Sequence, residues 1–480
     1  PGGGVNAMRG ESNVQGSTDF ALLYHQLPGY IGAPTASAKH ATLKDYNENE
    51  TPATGYWSNK PKFLVSTLKA FYGDNAKKSN DFLYDYLPKS SKNHSHINLF
   101  NYMYNGEIEG TFLFGQNPVV GGPNAGKEKE ALGNLKWMVA VDLWETETSS
   151  FWQKEAGSDP STIGTEVFLL PACSSYEKEG SVTNSSRWMQ YRWEAIYPKG
   201  ESKADLEILH KLALELKALY KNEQTPAAKT INALDWNFGN GDHPDIDLVC
   251  KEINGYDLKT GKLLPGFGAL MDDGSTSSGN WIYSGFYPEE GKNRAKNRDN
   301  KDTGGGNFLN WSFAWPANRR ILYNRASADL NGKPWSDKKK VIWWDETNKT
   351  WTGYDVPDFK PDKAPSDPGG DDPFIMNKDG VAQLFVPTLN DGPLPEHYEP
   401  FESPVANAFS SKEINPAIQL FEGEFNLKGD NKEFPIVATT YRVSEHWQSG
   451  TMTRNQEWLS ELVGYMYIEI SEELAKEKGI

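Results

Sequence analysis

Three apolar runs without polar alternation constrain the fold of this chain more than any other feature. They are residues 111–115 (TFLFG), 137–142 (WMVAVD) and 166–170 (EVFLL), the last closed by Pro171. A strand with one wet face alternates apolar and polar side chains, whereas a run that does not alternate reads as buried on both faces, as in a parallel sheet covered by helices. The spacers between the runs suit that reading, with a polar helix predicted over 125–135 and a second around 147–155. The expected fold class is therefore α/β, a doubly wound, mostly parallel sheet.

Further elements surround this unit. Residues 62–73 (KFLVSTLKAFYG) carry apolar positions 64, 68 and 71 and a terminal glycine, which predicts a helix with a C-terminal stop, and 97–106 repeat the design. Residues 205–220 have apolar positions 206, 209, 212, 216 and 219, an amphipathic helix expected to pack into a core. From Trp236 to about Phe401 the chain is aromatic, rich in glycine and proline, and mostly aperiodic, a pattern that is usually functional or interface-forming when ordered. Residues 434–441 and 467–471 read as strands opening a β-rich domain, too few to bury a core alone. The expected domains are 1–16; 17–230, which holds the α/β sheet; 231–430, an extended region and linker; and 431–480, the start of a β-rich domain.

Composition excludes some partners. The 480 residues hold 65 Asp and Glu against 49 Lys and Arg, and a net charge of −16 repels polyanions, so nucleic acid is not an expected partner. Sixteen tryptophans and a mean hydropathy of −0.66 suit a large enzyme of a secreted or periplasmic kind. Cys173 and Cys250 lack CxxC spacing, so neither a zinc finger nor an iron–sulfur site is encoded by them. No apolar run approaches the roughly 18 residues that span a bilayer. The opening Pro-Gly-Gly-Gly, without Met or signal peptide, is expected to be an internal segment of something longer.

In parallel sheets ligands sit beyond the carboxyl ends of the strands. Those ends are Gly115-Gln116-Asn117-Pro118 and Asp142, and an acid some distance past a glycine-bearing loop suggests a nucleotide, although GxGxxG is absent and Asp142 would serve equally as a helix cap. At the N-terminus, glycines at 2, 3, 4, 10 and 16 surround Arg9 (GGGVNAMRGESNVQG), presenting five planar donors suited to a small carboxylate or a phosphate; a solvated surface turn is the plainer alternative. GGPNAGK at 121–127 matches a phosphate loop, but Glu128 stands where Ser or Thr must hold Mg²⁺. Asp367, Asp371 and Asp372 lack EF-hand spacing, and no histidine falls in a metal or triad motif.

The opening GGGVNAMRGESNVQGSTD, followed by LLYHQLPGY, resembles the sequence around the active-site arginine of molybdenum- and tungsten-dependent formate dehydrogenases, members of the dimethyl sulfoxide reductase family. FGQNPV (114–119), VDLWETETSSFW (141–152), TEVFLLP (165–171), GSVTNSSRWMQ (180–190), WPANRRILYNRASAD (315–329), GPLPEHYEPFESP (392–404) and ATTYRVSEHW (438–447) resemble the family in the same order, covering nearly the whole chain. The resemblance implies formate oxidation to CO₂, or the reverse, at Mo or W held by two molybdopterin guanine dinucleotides. It implies that Arg9 holds formate, and that Gly4, Gly10 and Gln15 on the same loop touch cofactor. Gly115, Gln116, Asn117 and Asp142 would contact dinucleotide phosphates and guanine, with Thr146 and Glu147 as neighbours. Thr440, Arg442, His446 and Gly450 would begin the C-terminal cofactor-binding barrel. The family's metal-ligating selenocysteine or cysteine and its 4Fe-4S cysteines do not occur in these residues, so no metal ligand is assigned and the chain is expected to be the central-to-C-terminal part of a catalytic subunit. Partners implied are the remainder of that subunit, an iron–sulfur electron-transfer subunit and, beyond it, a cytochrome subunit; the implied location is periplasmic. Alternatives are another oxidoreductase of the family or an extracellular carbohydrate-binding protein, which the aromatic richness would suit.

Overall fold

The computed structural model describes residues 7–53, 55–239, 241–358, 361–370, 396–399, 406–409, 411 and 432–480. The chain forms two compact units, each assembled from two stretches: Pro1–Ser95 with Pro171–Gly380, and His96–Leu170 with Val381–Ile480.

The first unit is built around the helix Lys60–Tyr72, buried along most of its length. Pro61 suits its first turn, and Gly73 ends it in a conformation with φ +50°. Phe63 stacks on Trp281 with centroids 4.1 Å apart and rings parallel to within 2°. Beside it lies a three-stranded antiparallel sheet with Trp188–Arg192 in the centre, flanked by Gly180–Thr183 and Phe313–Ala314. The helix Asp205–Tyr220 has the predicted span, yet Leu206, Leu212 and Leu216 are only half-buried, and Leu209 and Leu219 are exposed. Its apolar stripe is not a core face here. Residues from Trp236 onward are mostly irregular, with a helix at Ile246–Asn254 capped by Asp245 and a hairpin pairing Ile342–Asp345 with Thr350–Gly353.

The second unit holds the parallel sheet. Gly110–Phe114 runs parallel to Trp137–Asp142, from Gly110 opposite Trp137 to Phe114 opposite Val141, and Glu166–Pro171 adds on the far side of the central strand. The helices His96–Tyr104 and Ala125–Gly133 pack together, and Phe100, Met103, Ala131 and Leu132 form one core with Leu113, Met138 and Ala140 from the sheet.

Three expectations for this unit are corrected. Among the described residues the helices pack on the face that bears Leu113, Met138 and Ala140, and Phe112, Phe168, Leu169 and Leu170 remain 43%, 44%, 43% and 37% exposed, so full cover on both faces is not seen among them. Apolar runs signal burial but do not say which chain segment supplies it. The helix expected around 147–155 is a series of turns ending in a short 3₁₀ turn at Lys154–Ala156. Here the hydroxyls of Ser149 and Ser150 both donate to the Thr146 carbonyl, and Thr146 N–H donates to Ser149 Oγ, so side chains satisfy the backbone in place of a helical ladder. Residues 434–441 and 467–471 form no strands; Tyr441 Oη donates to Glu469 Oε1 at 2.7 Å across the two extended segments, and no closed barrel is present among the described residues. Two strands are in any case too few to bury a core of their own.

Candidate functional site

Each unit carries one group of candidate residues. In the first unit, Arg9 is exposed on the loop leading into the helix Val14–Asp19. Its backbone N–H donates to Ser185 Oγ at 2.8 Å, and four residues on, Asn13 Oδ1 accepts from Thr183 N–H at 3.0 Å. The loop is thus pinned twice to the strand Gly180–Thr183 and the turn after it. Asn13 takes a left-handed conformation, and a Cβ on Gly16 would stand 2.2 Å from Asn13 Oδ1, so only glycine leaves room for that pin. A Cβ at Gly10 would meet no atom within 4 Å, which leaves the loop open beside Arg9. Gln15 is buried, and its amide donates to Asp19 Oδ1 and to the Tyr30 hydroxyl, both at 2.8 Å. Gly4 lies outside the described residues.

In the second unit the strand Gly110–Phe114 ends in Gly115, whose N–H still bonds to the Val141 carbonyl while its φ of +58° turns the chain out of the sheet. Gln116 is exposed. Asn117 ties the strand-end loop to the turn at Thr146–Ser149: its Oδ1 accepts from Thr148 N–H and Thr148 Oγ1, at 3.2 and 2.7 Å, and its Nδ2 donates to Glu147 Oε2 at 2.7 Å. Glu147 Oε1 in turn accepts from Arg454 Nη2 at 2.9 Å, and Arg454 donates from N–H and Nε to the Gly450 carbonyl. Burial pushes the Glu147 carboxyl up, but the bonds from Asn117 and Arg454 outweigh it and hold the group below its ordinary range. Asn117, Glu147 and Gly450 therefore share one cluster, and Thr146 anchors the turn beside it.

Asp142 stands at the end of the central strand with Oδ1 accepting from Leu143 N–H at 2.7 Å. Burial raises its carboxyl, opposed by backbone bonds from Leu143 and Trp144. His446 is a bracket within the C-terminal segment: Nδ1 pairs with Thr453 Oγ1 at 3.1 Å and Nε2 with the Val463 carbonyl at 2.7 Å. Thr440 and Arg442 are exposed on extended chain. Lys127 of the phosphate-loop look-alike is buried, with its ammonium on Asn101 and the Tyr104 ring.

Sequence reading missed Ser185, Asp19, Tyr30, Thr148 and Arg454. The available signal was slight: Gln15 and Asp19 are four apart, on one face of a short helix. Cys173 and Cys250 are both free and buried, and burial pushes the Cys250 thiol up to about 11. Among the described residues no group of three or more His, Cys, Asp or Glu is placed to hold a metal, and no helix is long and apolar enough to cross a membrane.

Residues 166–215 match the model of the molybdopterin oxidoreductases. The whole chain aligns with formate dehydrogenase 2 subunit alpha (cytochrome c-553) of Nitratidesulfovibrio vulgaris at 45% identity, covering 49% of that protein. It aligns likewise with the major subunit of the nitrate-inducible formate dehydrogenase of Escherichia coli, at 44% identity and 49% coverage, and with the formate dehydrogenase alpha subunit of Megalodesulfovibrio gigas, at 42% and 49%. The chain is similar over its full length to formate dehydrogenase subunits and, over residues 166–215, to the molybdopterin oxidoreductases. It spans about half the length of the curated relatives it matches. The chain aligns with those subunits from end to end, which does not favour a carbohydrate-binding module.

Proposed function

We propose that this chain is the central-to-C-terminal part of the catalytic subunit of a formate dehydrogenase, converting formate to CO₂, a proton and two electrons, or the reverse. The observation that carries the reading is an exposed guanidinium on a loop whose backbone is pinned by Ser185 and Asn13, in a chain alike over its full length to proteins named formate dehydrogenase. Formate offers little beyond one charge and two coplanar oxygens. A guanidinium grips such a group with two parallel N–H donors, each charged bond contributing about 1.5–3 kcal/mol. A guanidinium clamp holds the anion by charge and geometry without taking part in the proton transfer.

The residues fit a bis-molybdopterin guanine dinucleotide carrying Mo or W, which when bound supplies the two-electron acceptor. Gly10 leaves open space beside Arg9, and Gly115 turns out of the sheet with nothing within 4 Å of an added Cβ. Asp142 has acceptor capacity beyond its backbone bonds, suited to the paired N–H donors of a guanine edge. Asn117 spends both ends of its amide on Thr148 and Glu147, so it would shape the phosphate-side loop through its turn. Gln15, Thr146 and Gly450 would act in the same way, fixing backbone that meets the cofactor, with Thr440, Arg442 and His446 in the C-terminal cofactor-binding segment. A 4Fe-4S cluster elsewhere in the subunit, an iron–sulfur partner passing electrons onward to a cytochrome subunit, and a periplasmic location belong to the same proposal.

Purification of the native assembly tests it. The expected result is Mo or W with pterin in the protein and formate-dependent dye reduction; an assembly with the metal but inert to formate would point to a sibling oxidoreductase, and one without metal or pterin would refute the reading.

A further inference from the structure

Asp19 is fully buried, and its carboxylate would not touch formate. Each of its oxygens accepts two hydrogen bonds. Oδ1 takes the Tyr30 hydroxyl at 2.6 Å and the Gln15 amide at 2.8 Å, while Oδ2 takes the Tyr283 hydroxyl at 2.6 Å and the Trp315 indole N–H at 2.7 Å. Its own carbonyl accepts from Asn280 Nδ2 at 2.9 Å. All five donors are neutral, and besides Gln15 they reach it from three separate parts of the sequence: Tyr30, the turn holding Asn280 and Tyr283, and Trp315.

Burying a carboxylate is costly, and a core position with no further duty is served as well by apolar packing. What the carboxylate does here is join two things. On one side stand Gln15 and Asp19 themselves, one turn apart on the helix after the Arg9 loop. On the other stands the strand that pins the loop, because Tyr283 Oη also bonds Thr183 Oγ1 at 2.8 Å, and Thr183 N–H holds Asn13. Burial and Asp19 raise the Tyr30 hydroxyl, and the charge of Arg9 acts on it in the opposite sense.

We propose that Asp19 is the positioning residue of the Arg9 loop, setting the register between the helix Val14–Asp19 and the strand Gly180–Thr183 and so the place where the guanidinium meets the carboxylate of formate. The inference rests on the reading of Arg9 as the formate clamp. A misplacement of about 1 Å can cost on the order of 100-fold at a site that depends on orientation.

The test uses the complete enzyme assembly with Asp19→Asn, Tyr30→Phe and Arg9→Lys. The amide of Asp19→Asn places an NH₂ against two donors, and neither the Trp315 indole nor the Gln15 amide nitrogen can turn acceptor. For Asp19→Asn the expected result is metal content near that of the parent and a modestly lowered melting temperature, with KM for formate raised about tenfold or more and kcat changed less. Amide hydrogen exchange should quicken over residues 9–22 and stay unchanged across the helix Lys60–Tyr72. Tyr30→Phe should move KM and exchange in the same direction by less. Unchanged KM and exchange in Asp19→Asn, alongside an impaired Arg9→Lys, would overturn the positioning role and leave the clamp standing. An unimpaired Arg9→Lys would overturn the clamp, and the positioning role in formate binding with it. If Asp19→Asn does not assemble, Tyr30→Phe decides, and parental KM and exchange there overturn the proposal.

Discussion

Arg9→Lys is the substitution that separates charge from geometry at the proposed formate site. The bond that fixes residue 9 uses its backbone N–H on Ser185 Oγ, which lysine retains, and the second pin belongs to Asn13. The loop therefore keeps both anchors, and the positive charge stays. What disappears is the fork, since an ammonium cannot set two parallel donors against two carboxylate oxygens. Losing one charge-assisted bond costs about 1.5–3 kcal/mol, which is about a 10- to 150-fold fall in kcat/KM. Arg9→Gln, which also removes the charge, should fall further. The assay is formate-dependent dye reduction by the holoenzyme well below KM, with metal content measured to confirm that each variant is loaded. An Arg9→Lys enzyme within about twofold of the parent would refute bidentate recognition, because the expected range begins well above that.

Gly16→Ala should force the Asn13 side chain off Thr183 N–H, destabilising the loop by about 1–3 kcal/mol, read as faster amide exchange at Thr183 and Ser17. Asp358 is buried, and burial pushes its carboxyl up to about 7 against backbone N–H donors from Arg325 and Asn324 and the charge of Arg319. Its folded pKa lies above the unfolded one, so the native state binds the extra proton and stability falls as pH rises from about 4 to 7, by at most about 4 kcal/mol, then levels off. Thermal unfolding at stepped pH should show that slope and Asp358→Asn should flatten it; equal slopes would refute the assignment. Neither cysteine should alkylate in the native protein at pH 8, since both are buried and the Cys250 thiol is pushed up to about 11, whereas both should react after denaturation.

Local pattern made part of this molecule legible. The strands Gly110–Phe114, Trp137–Asp142 and Glu166–Pro171 and the helix Asp205–Tyr220 emerge from periodicity because each is decided within its own window. The turns at 147–155 defeated the same reasoning, because a run of Thr and Ser satisfies the Thr146 carbonyl from side chains, and apolar spacing does not register that competition. The strand readings at 434–441 and 467–471 failed differently. A strand exists only with a partner, and the residues alone do not say whether one is at hand.

The candidate sites divide along the same line. Gly115, Asn117 and Asp142 stand out as candidates because loops after strands are where chains place ligand contacts, which is a local property, whereas Arg9 alone reads as a surface turn and takes its proposed role from the family resemblance. The groups that hold them were not visible, since they arrive from afar: Trp315 reaches Asp19 across 296 positions, and Arg454 reaches Glu147 across 307. No sequence window contains such a pair, and neither partner is unusual by type. Orientation at a bound anion is nonetheless decided by those supports, because a guanidinium on an unpinned loop spends part of its binding energy on being ordered. A substitution survey confined to motif residues would therefore test contact and leave placement untouched; variants at Asp19, Ser185, Thr148 and Arg454 address placement, and changes in KM and exchange there without loss of fold are its signature.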